Sequence, residues 1–191
     1  MEICGKIVKD MLADCENPPK GGMEQQVILM NRSDLDEVVK TSSTNDGTHS
    51  ASFSLTSGTT GFLVTGYANK QLFTYGWSLN VADDQPDDFT HTLSLRLFNC
   101  SEDTNSFVNG LALGADIVAV VKSKAGCYEI LGLDGGLKIT EASKNSNENK
   151  AATVFVLSSS GTDTEPKTPY IYFDTDSDTT SANFENKFAA A

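Results

Sequence analysis

The clearest pattern along the chain has a period of two. Phe73, Tyr75, Trp77, Leu79 and Val81 alternate with small or polar residues, and so do Phe89, Leu93, Leu95 and Leu97. Successive side chains of a strand point to opposite faces, so both stretches predict half-buried strands. The link between them, Asp83-Asp84-Gln85-Pro86-Asp87-Asp88, is too polar to bury and carries a proline, which predicts a solvated connection and an antiparallel pair. Residues 51–56 and 62–67 alternate more weakly around Ser57-Gly58-Thr59-Thr60-Gly61, predicting a hairpin with an extended tip. Val27-Ile28-Leu29-Met30 is an unbroken apolar run of strand length, and residues 117–121, 127–133, 137–139, 152–157 and 170–173 read as further strands, with turns at Lys124-Ala125-Gly126 and Asp134-Gly135-Gly136.

The period changes at Ser101. That residue, followed by Glu102 and Asp103, has the chemistry of an N-cap and an acidic first turn, and Phe107, Val108, Leu111 and Ala112 form an apolar stripe ending at Gly114. A helix is predicted over 101–113. Ser33 and Asp34 before Leu35, Val38 and Val39 predict one capped helical turn, and residues 41–50 a polar loop. At the start of the chain Ile3, Ile7, Val8, Met11 and Leu12 make a short amphipathic stretch. It is stopped by Asn17-Pro18-Pro19-Lys20-Gly21-Gly22, a run that cannot continue a helix. The organisation expected is an arm and hinge over 1–22, a β domain over 23–173, and a capped helix or arm over 174–191. Many strands without regular helical alternation point to a mainly β fold: an antiparallel sandwich or barrel with one packed helix and extended terminal arms.

Length and charge narrow the classes. The 191 residues suit one domain with a sizeable core. Twenty-six acidic against fourteen basic residues leave a net charge of −12, and the bases are scattered, so phosphate gripping is a poor expectation. A chain this acidic sits beside DNA by repelling it. No stretch approaches the ~20 apolar residues of a membrane helix, and the first five residues are too short and polar to open a signal peptide. Synthesis in the cytoplasm without a membrane partner is the expectation. Cys4, Cys15, Cys100 and Cys127 form no C-x-x-C pair and read as reduced thiols.

Catalytic signatures are sparse. His49 lies in a polar loop and His91 in the apolar register of a strand, neither at ligand spacing from a Cys or an acid. Nucleophile elbows, Walker loops, dinucleotide fingerprints and zinc motifs are missing from the sequence, so neither enzyme activity nor a cofactor is expected. The metal-like pattern is Asp174-Thr175-Asp176-Ser177-Asp178-Thr179 with Glu185 twelfth, the acid spacing of a calcium loop, but Thr179 stands where the sharp turn needs glycine. The competing reading is that these acids cap a C-terminal helix from about Ser181, with Phe184 and Phe188 on one face. More telling is the face opposite the apolar one in the two strongest strands. It carries Thr74, Gly76, Ser78 and Asn80, then Thr90, Thr92, Ser94 and Arg96, where ordinary solvated strands carry more Lys and Glu.

Several stretches resemble a known family: Cys15-Glu16-Asn17-Pro18-Pro19-Lys20-Gly21-Gly22, then Val27-Ile28-Leu29-Met30-Asn31-Arg32-Ser33-Asp34-Leu35, Leu93-Ser94-Leu95-Arg96-Leu97-Phe98, and Tyr128-Glu129-Ile130-Leu131-Gly132-Leu133-Asp134-Gly135-Gly136-Leu137-Lys138. They are similar to the tail-tube (major tail) proteins of phages and prophages of gut anaerobes. The resemblance implies a structural virion protein of the phage tail, a β-sandwich subunit with a flanking helix, homo-oligomeric in hexameric rings stacked into a hollow tube. Its partners are then its own copies, other tail and connector proteins, and DNA that passes at ejection without specific binding. No catalytic residue follows from it. On this reading Thr74, Ser78, Asn80, Thr90, Thr92 and Ser94 line the lumen, with Arg96 paired to an acid from 83–88 or set at a ring junction. Contacts between subunits fall to Ile3, Ile7, Met11, Pro18, Pro19, Gly58, Gly61, Phe184 and Phe188. Two other classes fit the same residues: a capsid decoration or head-to-tail connector protein, and a calcium-dependent carbohydrate-binding sandwich that uses Asp174, Asp176 and Asp178. A sugar module would show exposed aromatics, whereas Trp77 falls in an apolar register.

Overall fold

The computed structural model describes residues 21–43, 48–67, 70–98, 101–161 and 163–189. Eleven strands run in the order β1 (Met23–Asn31), β2 (Leu35–Ser43), β3 (Thr48–Leu55), β4 (Phe62–Thr65), β5 (Thr74–Asn80), β6 (Asp88–Leu97), β7 (Ile117–Ser123), β8 (Tyr128–Leu131), β9 (Lys138–Lys144), β10 (Thr153–Ser158) and β11 (Tyr170–Tyr172). Helix α1 (Glu102–Ala112) lies between β6 and β7, and α2 (Ser177–Glu185) follows β11. The strands form a seven-stranded sheet in the order β2-β3-β11-β8-β7-β1-β4 and a four-stranded sheet in the order β5-β6-β10-β9. The protein is thus a mainly β sandwich, as its alternating pattern predicts, with α2 as a second helix packed on its own layer.

Two apolar cores explain the layering. Val27 and Leu29 of β1, Ala119 and Val121 of β7, and Leu131 of β8 point to the four-stranded sheet, where they meet Leu93, Leu95, Phe155 and Leu157. Leu111, Phe107 and Val108 of α1 join this core, and Phe107 meets Phe155 at 6.0 Å between ring centroids. The alternate residues Ile28, Met30, Val118, Val120 and Ile130 point the other way, onto Phe53, Tyr172, Phe184 and Phe188. A strand buried on both faces needs apolar side chains at every position, which is why β1 and β7 read as unbroken runs.

Each helix starts as its cap residue dictates. The Ser101 hydroxyl accepts from the Thr104 N–H at 3.2 Å, and an Asp176 carboxylate oxygen accepts from the Thr179 N–H at 2.8 Å. Helix α2 therefore begins four residues before the expected Ser181. Past its end, Lys187 and Phe188 take left-handed backbone with φ of 56° and 57°, an uncommon state for residues with a Cβ. This turn drives Phe188 back into the core, 4.9 Å from Phe53 and 5.0 Å from Tyr172.

Four expectations are corrected. Residues 41–43 and 48–50 belong to β2 and β3, which form a long antiparallel hairpin, because Thr and Ser suit a pleated edge as well as a loop. A 3₁₀ turn at Arg32–Asp34 replaces the capped helical turn, and Leu35, Val38 and Val39 are strand residues. Residues 51–56 and 62–67 are not a hairpin: β3 pairs with β2 and β11, whereas β4 pairs with β1 at the opposite edge of the sheet. The Ser57 to Gly61 turn lacks the left-handed dipeptide that forces a tight reversal, and pairing with β4 satisfies the open edge of β1. Finally, β11 runs parallel to β3, the exception in an otherwise antiparallel fold.

Candidate functional site

The outer face of the four-stranded sheet gathers the residues expected to line a lumen. Cross-strand register sets Thr74 opposite Ser94, Gly76 opposite Thr92, Ser78 opposite Thr90 and Asn80 opposite Asp88. Beneath these residues His91, Leu93 and Leu95 are buried, so period-two alternation leaves the six predicted side chains on one solvent-facing surface. The surface continues onto β10, where Ser158, Val156 and Val154 stand opposite Thr92, Ser94 and Arg96, and reaches Lys138 and Glu141 on β9. Asn80 donates to Asp88 at 2.7 Å and to the Thr90 hydroxyl at 2.8 Å, and the Thr164 hydroxyl donates to the other Asp88 oxygen at 2.7 Å. Those bonds hold the Asp88 carboxyl below the usual carboxylate range. Arg96 lies eight positions along β6 from Asp88, about 26 Å at ~3.3 Å per residue, so pairing with the 83–88 loop is ruled out by distance. On β5 and β6 the middle of the face is small and uncharged, with Asp88 and Arg96 at opposite ends, while Lys138 and Glu141 bring charge to its β9 edge.

Behind this face sits a buried polar clasp that the sequence pattern did not reveal. The His91 Nδ1 accepts from the Gly132 N–H at 3.3 Å, and its Nε2 bonds the Lys167 carbonyl at 3.0 Å. Burial lowers its pKa to about 4, so the ring is neutral and neither nitrogen is free to serve as base or ligand. Glu165 accepts from the Asp134 and Gly135 N–H groups at 3.0 and 2.7 Å, while its own backbone pairs with Phe89 in both directions. Burial pushes the Glu165 carboxyl up, and the two N–H bonds offset part of that rise. His49 stacks on Tyr170 at 4.1 Å and bonds the Thr168 carbonyl at 2.8 Å. Together they fasten the loop before β11 to both sheets. Glu165 could not be found in advance because its loop has neither period nor motif.

The remaining candidates separate. Ile3, Ile7, Met11, Pro18 and Pro19, like Cys4, Cys15 and Cys100, lie outside the described residues, while Cys127 is an exposed free thiol. Gly58 is exposed at φ +84°, with open space around it. Gly61 is buried instead, its N–H donating to the Lys187 carbonyl at 2.8 Å, and an added Cβ would lie 2.4 Å from Ile28 Cγ2. Phe184 and Phe188 are also turned inward, so these three residues, expected at contacts between subunits, pack within the chain instead. Asp174 accepts from Thr175 and Asn183, and Asp178 and Glu185 sit in the first and last turns of α2. A helix runs where a calcium loop would have to curl, and among the described residues no three His, Cys, Asp or Glu side chains gather as a metal site. Trp77 keeps its apolar register yet is 51% exposed, because β5 overhangs the opposing sheet. No helix among the described residues is long and apolar enough to cross a membrane. Comparisons with protein-family models, curated proteins and solved structures return no match.

Proposed function

We propose that this protein is a structural subunit of a phage tail tube whose four-stranded sheet faces the DNA passage. The observation that carries the reading is the Thr74, Ser78, Thr90, Thr92 and Ser94 surface, one continuous outer face of small hydroxyl side chains in cross-strand register. A conduit must not hold its cargo. Each Lys or Arg in contact with phosphate adds a favourable, salt-dependent attraction, whereas hydroxyls beside a chain of net charge −12 leave DNA free to move. Two further features support the reading. Among the described residues the four-stranded sheet ends on β5 and β9, each paired on one side only, so copies set side by side can continue it. The polar clasp occupies its titratable groups in backbone bonds, which suits a structural role. Negative-stain microscopy of the purified protein tests the proposal: rings that stack into hollow tubes are expected, and a monodisperse monomer at every concentration and salt condition overturns it.

A further inference from the structure

Lys40 and Asp134 are 94 positions apart in the chain, yet they meet side chain to side chain, with the Lys40 Nζ on an Asp134 carboxylate oxygen. Backbone, rather than the contact itself, holds each of them in place. Lys40 stands opposite Ala51 in the β2–β3 ladder, and Ala51 stands opposite Tyr172 of β11, so register fixes the lysine. Asp134 lies in the turn between β8 and β9, where its own N–H and that of Gly135 both donate to the buried Glu165 side chain, at 3.0 and 2.7 Å. The Tyr170 ring, stacked on His49, lies 5.8 Å from the Lys40 Nζ. Leu35, Val38 and Leu133 help to line the cleft of about 830 Å³ onto which the pair opens.

We infer that Lys40 and Asp134 condense into an isopeptide cross-link from Lys40 Nζ to Asp134 Cγ, a covalent modification that ties β2 to the β8–β9 turn. Within the touching pair the ammonium passes one proton to the carboxylate, leaving an amine and a neutral acid. The amine nitrogen attacks Cγ, the N–C bond forms, the C–OH bond breaks, and the hydroxyl leaves with a second amine proton as water. One positive and one negative charge disappear together, and no oxidant or cofactor is consumed. Free amines and carboxylates in water condense too slowly to matter, but two groups pinned on separate elements of one fold react as a single molecule, at effective concentrations of about 10⁵ M or more. The two side chains are 34% and 25% exposed, which leaves the water a route into the cleft. The competing cyclisation, attack on Asp134 Cγ by the Gly135 nitrogen, is opposed by the bond that ties the Gly135 N–H to Glu165. Lys138 and Asp163, at 2.5 Å, are a comparison within the same molecule: that pair is more open, at 45% and 37%, and its lysine is shared with Asp116 at 3.7 Å. The inference does not depend on the tube reading.

Intact-mass spectrometry of the full chain, denatured and reduced, tests the cross-link. The expected mass, with or without Met1, falls below that of the sequence by one water, about 18 Da. Trypsin is expected to release a branched peptide joining residues 33–70 to residues 125–138, because an amidated Lys40 is no longer a cleavage site. Lys40→Arg keeps the ion pair but cannot form this amide, so the variant is expected at its full mass with ordinary linear peptides. A wild-type mass equal to that of the sequence means an ion pair only and overturns the inference. A loss of water carried by a linear peptide, the succinimide of the Asp134-Gly135 pair, overturns it as well, and so does a branch at Lys138 in place of Lys40.

Discussion

The two sheets are made of similar residues but meet different surroundings. At the centre of the seven-stranded sheet β1, β7 and β8 are covered on both sides, by the other sheet and by the layer of α2. Among the described residues the four-stranded sheet is covered on one side and open on the other. A strand with two apolar faces has no freedom in its sequence, whereas a strand with one keeps every second position for another task. On β5 and β6 most of those free positions carry Thr, Ser and Asn, so the more informative sheet is the less buried one.

The strongest challenge to that contrast is to empty the second core. Phe184→Ala is expected to cost about 3–5 kcal/mol, comparable with a large truncation in the inter-sheet core. Urea unfolding measures it, and a cost below about 1 kcal/mol would mean that α2 merely rests on the sheet.

Acid probes the join between the sheets. His91 is neutral in the fold with a pKa near 4, against 6.5 when unfolded, so the unfolded chain takes up its proton first as pH falls. The stability this residue contributes is present above pH 6.5 and declines by about 3 kcal/mol between 6.5 and 4. Glu165 acts in the opposite sense: burial raises its pKa, so the folded state binds a proton more tightly, and its penalty on stability is relieved as pH falls through that raised value toward the ordinary 4.5. In His91→Gln the decline between pH 6.5 and 4 is expected to shrink to what other groups contribute. Chemical denaturation at a series of pH values checks this, and an unchanged acid limb assigns the loss elsewhere.

Smaller effects sharpen the comparison. Asp176→Ala removes the α2 cap and is expected to cost about 1 kcal/mol, with millimolar calcium leaving the wild-type thermal midpoint unmoved. A calcium-dependent rise would restore the cation reading of Asp174, Asp176 and Asp178. Thr90→Lys with Thr92→Lys touches the open face and removes the Asn80–Thr90 hydrogen bond, so stability is expected to fall by about 1 kcal/mol. On the tube proposal the variant assembles normally but delivers DNA poorly, and normal delivery removes the lumen role from these residues.

Legibility followed the same divide. β5, β6, the 83–88 connection and the α1 cap were readable because one-sided burial writes a period and capping needs particular side chains. The apolar runs of β1 and β7 were readable as strands, though not which residue served which core. Beyond the β5–β6 pair, strand partners were unreadable: nothing in residues 51–67 tells β3 to join β11 and β4 to join β1, because backbone pairing carries no side-chain code over that distance. The hydroxyl-rich residues of β5 and β6 were readable as one face, while the inward turn of Phe184 and Phe188 depends on a left-handed turn at residues without glycine. Trp77 had the right register and the wrong exposure, since overhang is a property of the opposing sheet.

The parallel pair of β11 with β3 sets a schedule for biogenesis. Among the described residues the β2–β3 hairpin has no neighbour in the sheet except β11, which also supplies its link to β8. A ribosome finishes Leu55 well before it reaches Tyr170, roughly six to twenty seconds earlier at ~5–20 residues per second. Throughout that interval the hairpin waits with one edge unclaimed, and three residues near the end of the chain decide when it is sealed.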